Sequence, residues 1–330
     1  MRLPRFDFRE PSVVEEALSL LEEFKGSVIP LAGGTDLIPI MKYGLETPST
    51  VVGLKRVSAL RGISLNSGNV HIGAMTLLVD MLSSRTLLDN FPGLIQAVKA
   101  VAAPPLWNVA TIGGNICQNS RCLYYNQSKT WRLERPACFK AKGDVCHAVP
   151  AGRKCFSVYS SDLAPALTAL GATITIRRKG QSRTIPLQDL FSGNGLSPFT
   201  MEKSELLTGV EIPLPQKRSN SSYIKKRMRS AVDYPLISAS ASIVCNEDNR
   251  IKQIRLVLGA VGSKPVIVGS ADQIFAGKTI DEIDFDALGD NVRKETRMVD
   301  NLMLPGSYRR QMLPVIARDA VRAAFPSIVE

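Results

Sequence analysis

The chain lacks the features that announce several common functions. No apolar run approaches the 18 or more residues of a membrane-crossing helix. Its first residues, Met1-Arg2-Leu3-Pro4-Arg5-Phe6-Asp7, have no apolar stretch of the secretory-signal kind, so a cytoplasmic protein is expected. Aromatic residues make up only 6%, and they do not interleave with the basic runs Arg177-Arg178-Lys179, Lys225-Lys226-Arg227 and Arg309-Arg310. Platforms that stack single-stranded nucleic acid need that interleaving. Helix-turn-helix and zinc-finger spacings are missing too, so nucleic acid is not an expected partner. Neither Gly-Gly motif is part of a G-x-G-x-x-G fingerprint or a P-loop, which sets aside the Rossmann and nucleotidase readings. There is no internal repeat and no low-complexity tract.

What is present suits a folded protein of two or three domains: 330 residues, 45% hydrophobic and 22% charged. The 41 Lys and Arg exceed the 30 Asp and Glu, a net +11. Such an excess is either solvated surface or a site for something anionic, such as a phosphorylated cofactor or an acidic electron carrier.

Read in order, Val14, Ala17, Leu18 and Leu21 form one apolar stripe, predicting a helix over 12–24. The run Val28 to Ala32 reads as a buried strand that breaks into Gly33-Gly34-Thr35-Asp36, and Val51 to Leu54 as a second, parallel strand. A second section begins near Ser58, with a strand at 70–74 and a helical stripe of Leu94, Ala97, Val98 and Val101. Then comes Thr111-Ile112-Gly113-Gly114-Asn115, read as a glycine loop leaving an apolar strand. Ser161 is a plausible cap for a helix beginning Asp162-Leu163-Ala164, and Thr173 to Arg177 alternates as a strand into a Lys179-Gly180 turn. The polar stretch 216–221 reads as a linker. Strands near 238–244 and 254–258 follow, then helices near 281–300 and 307–324, which predicts an α+β C-terminal domain.

A glycine loop can bring bare backbone N–H groups against a phosphate. Two such loops could clamp a pyrophosphate, with Thr35, Thr111 and Asn115 adding polar groups. Between Asn115 and Ser161 lies an aperiodic stretch rich in cysteine. Five of the six cysteines fall within the 39 residues from Cys117 to Cys155, and Cys245 stands alone in an alternating strand. Cys122, Cys138, Cys146 and Cys155 have the spacing C-x15-C-x7-C-x8-C, neither a ferredoxin run nor a paired C-x-x-C zinc ribbon. Spacing alone leaves an iron–sulfur cluster, zinc and unrelated thiols all open. Cys117, next to the glycine loop, reads as a buried thiol.

The ordered motifs Ala32-Gly33-Gly34-Thr35-Asp36-Leu37, Thr111-Ile112-Gly113-Gly114-Asn115, Ser161 to Leu167, Tyr223-x-Lys225 with Asp233, and Ser307-Tyr308-Arg309-Arg310 carry a specific likeness. Together they resemble the FAD-binding medium subunits of the xanthine oxidase family of molybdenum hydroxylases, alongside carbon monoxide dehydrogenase flavoproteins. The resemblance implies an α+β protein: a two-part FAD-binding domain of the PCMH type over 1–57 and 58–215, with an insertion at about 117–158, then a C-terminal domain over 222–330. It implies FAD held by Pro30, Leu31, Ala32, Gly33, Gly34, Thr35, Asp36, Leu37, Val101, Thr111, Ile112, Gly113, Gly114, Asn115, Asp162, Leu207 and Lys225. Asp162 would accept from a ribose or ribityl hydroxyl and Lys225 would sit at the flavin's pyrimidine edge. Pro104-Pro105-Leu106-Trp107 departs from the polar pattern usual ahead of the second glycine motif, which leaves the contacts of that stretch open.

The insertion resembles that of 4-hydroxybenzoyl-CoA reductase β subunits through Arg121-Cys122, Tyr125 to Ser128, Trp131-Arg132 and Lys142-Gly143-Asp144-x-Cys146-His147. That likeness implies one 4Fe-4S cluster on Cys122, Cys138, Cys146 and Cys155. It also implies an electron-transfer subunit that works with a large molybdopterin subunit and a small subunit carrying two 2Fe-2S clusters, in a dimer of heterotrimers. A ferredoxin would supply electrons for reductive dehydroxylation of 4-hydroxybenzoyl-CoA to benzoyl-CoA. The rival expectation is the flavin subunit of an oxidative hydroxylase that passes electrons to NAD or a quinone.

Overall fold

A computed structural model describes residues 2–325; Met1 and 326–330, at the ends of the expected first and last domains, lie outside the described residues. Three sheets organise it. The first is parallel: β1 (Asp7–Arg9), β2 (Val28–Leu31) and β3 (Thr50–Gly53), in the order β1-β3-β2. The helix Val14–Glu23 turns Val14, Ala17, Leu18 and Leu21 onto it, as the stripe predicts. β2 runs directly into Gly33-Gly34 and the short helix Leu37–Lys42.

The second sheet is antiparallel: β4 (Ile63–Asn66), β5 (Asn69–Gly73), β6 (Thr173–Arg178), β7 (Gln181–Pro186) and β8 (Leu206–Pro213), in the order β4-β5-β8-β6-β7. The expected Lys179-Gly180 turn joins β6 to β7, with Gly180 at φ +72°, a left-handed conformation that glycine adopts without a Cβ clash. The helices Pro92–Ala100 and Leu163–Ala169 share this sheet's apolar core.

The third sheet, β9 (Ser219–Lys226), β10 (Ile237–Cys245), β11 (Ile251–Gly259) and β12 (Val266–Ile267), is antiparallel in the order β12-β11-β10-β9. Strand β10 alternates between Ala239, Ala241 and Ile243, which join a core with helices Phe285–Glu295 and Gly306–Ala324, and the serines Ser238, Ser240 and Ser242. The first two serines are buried, and this face meets the helices Pro92–Ala100 and Leu163–Ala169. Small residues permit the close approach. A Cβ on Gly259 would lie 2.7 Å from Pro165, and one on Gly93 would lie 2.8 Å from the Ser222 nitrogen.

Two expectations are corrected here. The stretch 216–221 is a linker only at its start, because Ser219 to Ser221 already pair with β10 and Ser221 receives the Gly93 N–H at 3.1 Å. Polarity alone hid a strand whose partner helix needs small hydroxyls. The helix expected over 281–300 is confined to Phe285–Glu295, capped by Asp284, whose carboxylate accepts from the N–H groups of Asp286 and Ala287. It is preceded by a 3-10 turn, Ile280–Glu282, closed by a Thr279–Glu282 capping box.

Candidate functional site

A cleft of about 1070 Å3 opens between the parallel sheet, the second sheet and the β9–β10 connection. Drug-sized ligands occupy about 300–1,000 Å3, so a dinucleotide has room. Every expected cofactor residue lines the cleft except Leu31, Ile112 and Lys225. Leu31 is tied into the parallel sheet, its carbonyl accepting from Leu54 N–H at 2.9 Å, and Ile112 is fully buried in the core.

Of the two glycine motifs, only the first is the strand-leaving loop expected. Gly34 follows β2 and adopts φ +74°, a conformation side chains resist. Thr111 instead N-caps a short helix, Ile112–Ile116, its hydroxyl accepting from Gly114 N–H at 3.0 Å, and no strand precedes it. The bare backbone also serves packing before it serves any ligand. A Cβ on Gly33 would sit 1.9 Å from the Val109 carbonyl oxygen, and one on Gly113 would sit 2.7 Å from that of Ala74. Asn115 turns its carboxamide oxygen to Ser161 Oγ at 2.6 Å and to Leu163 N–H at 3.3 Å, while Ser161 Oγ accepts from Ala164 N–H at 3.0 Å. The second glycine motif and the Ser-Asp-Leu helix are therefore joined at their ends. Ahead of them, the apolar departure forms the helical turn Pro104–Trp107, which puts Leu106 in the cleft and donates Trp107 Nε1–H to the Val101 carbonyl at 2.6 Å.

Asp36 links three regions. Its carboxylate pairs with Arg121 at 3.0 Å and accepts from the Asn119 N–H and the Tyr234 hydroxyl, both at 3.4 Å. The Arg121 guanidinium lies 4.1 Å above the Tyr234 ring. Burial pushes the Asp36 carboxyl up, and Arg121 works against it. Tyr234 and Val232, on the β9–β10 connection, line the cleft and were not among the expected residues. Only the nearby Asp233 hinted at this connection, since it has no periodicity.

Asp162 faces the cleft, but its oxygens are engaged from behind: Tyr223 donates its hydroxyl at 2.6 Å and Lys225 its ammonium at 3.0 Å. Lys225 also donates to the carbonyls of Ala100 and Asp233, each at 2.9 Å, so all three of its protons are held inside the protein. Burial raises the Asp162 carboxyl and lowers the Lys225 ammonium, while their mutual attraction opposes both shifts. In this arrangement Lys225 acts on the cleft through Asp162.

Beside the cleft, Cys122, Cys138, Cys146 and Cys155 line one small cavity of about 20 Å3, the space of a single water. Among the described residues no three His, Cys, Asp or Glu side chains converge as a metal site requires. The expected ligand set is thus gathered but not closed. A tetrahedral zinc and an iron–sulfur cluster alike need their thiols convergent on one centre, a closure this arrangement has not reached. Tyr125 seals one wall, its hydroxyl reaching the Leu45 carbonyl at 3.2 Å, and His147 Nε2 lies 2.9 Å from the Pro136 carbonyl oxygen. Cys117 corrects an expectation: it is exposed and opens onto the cleft. The crowded cleft wall nevertheless pushes its thiol up to about 12.

Among the described residues, only Phe139 and Lys140 line both the cleft and the cysteine cavity. The Lys140 ammonium donates to Asn119 Oδ1 at 2.9 Å and to Ser120 O and Oγ, both at 2.6 Å. Burial pushes it down to about 8, opposed chiefly by attraction to Cys155 and Cys122. Nothing in the pattern around position 140 had marked it.

Residues 4–215 match the family described as the FAD-binding domain in molybdopterin dehydrogenase, and residues 222–324 the C-terminal domain of carbon monoxide dehydrogenase flavoprotein. The aldehyde oxidoreductase FAD-binding subunit PaoB of Escherichia coli is 30% identical over 73% of this chain and 77% of its own length. The glyceraldehyde dehydrogenase medium chain of Sulfolobus acidocaldarius is 27% identical over 97% of this chain and 98% of its own. The carbon monoxide dehydrogenase medium chain of Afipia carboxidovorans is 27% identical over 97% and 96%. Among solved structures, reconstituted carbon monoxide dehydrogenase from Oligotropha carboxidovorans superposes with a TM-score of 0.81 at 25% identity, over 98% of this chain and 99% of that one. Both halves of the architecture, matched in order, place the chain in the molybdenum hydroxylase family: it is an FAD-binding medium subunit of the carbon monoxide dehydrogenase-like kind, an oxidoreductase subunit.

Proposed function

We propose that this chain is an electron-transfer subunit that carries FAD in the cleft and a 4Fe-4S cluster on Cys122, Cys138, Cys146 and Cys155, in an enzyme of the 4-hydroxybenzoyl-CoA reductase type. The observation that carries the reading is the shared wall. Four cysteines line one cavity, and Phe139 and Lys140 line both that cavity and the cleft. Bound FAD exchanges electrons singly or in pairs, which suits it to stand between carriers of different kinds. An all-thiolate cluster supplies a one-electron centre of tunable, often low, potential. The chain's own part is to hold both groups close. Gly33 and Gly34 present backbone without side chains, Asp162 faces the cleft with its charge balanced by Lys225, and the irregular insertion can spread around a cluster as metal binding drives its ordering.

The partners in this reading are a large molybdopterin subunit, where substrate chemistry takes place, and a small 2Fe-2S subunit, with an acidic ferredoxin as donor. Residues 117–158 hold eight Lys and Arg against two Asp and Glu, so more than half of the net +11 sits on the insertion. Such a face favours an acidic carrier. Among the described residues no helix is long and apolar enough to cross a membrane. A second reading has its own support: the relatives named above are dehydrogenases and oxidoreductases of aldehydes and carbon monoxide. It makes this chain the flavin subunit of an oxidative hydroxylase, with NAD or a quinone as acceptor.

Anaerobic metal analysis and EPR of the isolated subunit test the cluster. About four irons and no zinc per chain are expected for a 4Fe-4S centre, with Cys138→Ser losing the iron signal and keeping FAD. A Cys138→Ser protein with its full iron complement contradicts the ligand assignment. Direction is decided by turnover: reduction of 4-hydroxybenzoyl-CoA by reduced ferredoxin supports the first reading, and oxidation of an aldehyde with NAD the second.

A further inference from the structure

Two cysteine-bearing segments of the insertion are held by one residue of the C-terminal region. Asn301 is 1% exposed and lies between the helices Phe285–Glu295 and Gly306–Ala324. Its backbone carbonyl accepts from the N–H of Leu123 at 2.9 Å, one residue after Cys122. Its side-chain nitrogen donates to the carbonyl of Phe156, one residue after Cys155.

A carboxamide can present either its oxygen or its nitrogen, and Arg309 decides which. The Arg309 guanidinium, also 1% exposed, has only donors and lies 3.3 Å from Asn301 Oδ1. The amide oxygen therefore faces the arginine and the nitrogen is left for Phe156. The same guanidinium donates to the carbonyls of Val299 and Ala260. Two residues after Ala260, the Gly262 carbonyl accepts from Tyr159 N–H at 2.9 Å, and the Ser263 hydroxyl donates to the Ser157 carbonyl at 2.8 Å. One buried arginine thus braces both loops that grip the chain on either side of the sulfur cavity. It does so although its Nε finds no partner, an arrangement that costs desolvation.

We propose that Asn301, oriented by Arg309, is the positioning residue that holds the Cys122 and Cys155 segments against the one cavity they share, where a cluster would have to bind. The proposal rests on the cluster reading for its purpose, and on hydrogen-bond geometry for its existence. Asn301→Asp is the informative change. It keeps the shape, the backbone bond to Leu123 and the acceptor for Arg309, but turns an acceptor toward the Phe156 carbonyl.

Measured on the full chain, Asn301→Asp and Asn301→Ala should release iron to a ferrous chelator about tenfold faster than wild type, with FAD content and circular dichroism unchanged. Peptide mapping after iodoacetamide treatment should show faster labelling of Cys155. In wild type, hydrogen exchange should find the Leu123 amide among the slowest in the insertion. Wild-type rates of iron release and labelling in both variants, or a rapidly exchanging Leu123 amide, overturn the proposal. A wild-type protein without iron sinks the cluster reading alone. In that case Cys122 and Cys155 labelling, faster in the variants or not, upholds or overturns the clamp.

Discussion

At the scale of single residues, the glycines of the cleft separate two needs that sequence cannot separate. A Gly-Gly pair beside a binding site is legible as a place for a phosphate, and both pairs do line the cleft. The reason each side chain is forbidden lies on the other side of the backbone: the Val109 carbonyl behind Gly33 and the Ala74 carbonyl behind Gly113. The first is 76 positions away along the chain, so no local pattern carries it. This sets the sign of an experiment. Gly33→Ala and Gly113→Val should each destabilise the FAD-free protein by about 1–3 kcal/mol or more, the usual cost of overpacking. Urea unfolding of the flavin-stripped chain reads the loss. Gly262→Ala, with nothing within 4 Å of its Cβ, serves as the neutral reference. A role confined to the phosphate would leave stability without FAD untouched, and that result would refute the packing account.

At the scale of elements, the legible parts are those with a period. The stripe Val14–Ala17–Leu18–Leu21, the Thr173 to Arg177 alternation and the serine–alanine alternation of β10 each announce an element whose buried face is set by its own residues. The insertion has no period because its order comes from turns and from neighbours. Around Cys138 the chain folds on itself: Phe139 N–H reaches the Val145 carbonyl at 3.0 Å, Gly143 N–H reaches the Cys138 carbonyl at 2.9 Å, and Lys142 adopts φ +66°. The ring so formed brings Cys138 and Cys146 to one cavity wall. Gly143 is its tightest point, since a Cβ there would lie 1.7 Å from the Ala137 carbonyl oxygen. Gly143→Ala is therefore expected to open this turn, which adds Phe139, Lys140 and Lys142 to the cleft wall, while leaving the glycine motifs and Asp162 in place. Iron per chain should fall to a small fraction of wild type while the flavin absorbance persists, and joint loss of iron and FAD would show that the turn is not an independent unit.

At the scale of the whole molecule, the expected division into an FAD-binding part and a C-terminal part conceals how much of the site is built across it. Strand β9 lies against the helix Pro92–Ala100, with Tyr223 N–H on Gln96 Oε1 at 2.8 Å, and Lys225 brings its ammonium from that strand to Asp162. Tyr234 closes on Asp36, and Asn301 holds the cysteine segments. Sequence order makes these look like contributions of separate modules, because every one of the contacts joins positions far apart. Splitting the chain tests the point. Residues 1–215 alone would keep the glycine motifs and all four insertion cysteines, yet would leave Asp162 without Lys225. Stranding one partner of a buried ion pair costs about 3–5 kcal/mol, a large share of the 5–15 kcal/mol that typically holds a domain together. The fragment should therefore emerge colourless, prone to associate and reactive toward dyes that bind apolar surface. Co-expression with 216–330 should restore a yellow complex, because the missing charge and the serine-rich strand return together. A monomeric 1–215 fragment with a full complement of FAD would mean that the cleft completes itself without the C-terminal half, and that the contacts across the boundary serve assembly rather than cofactor retention.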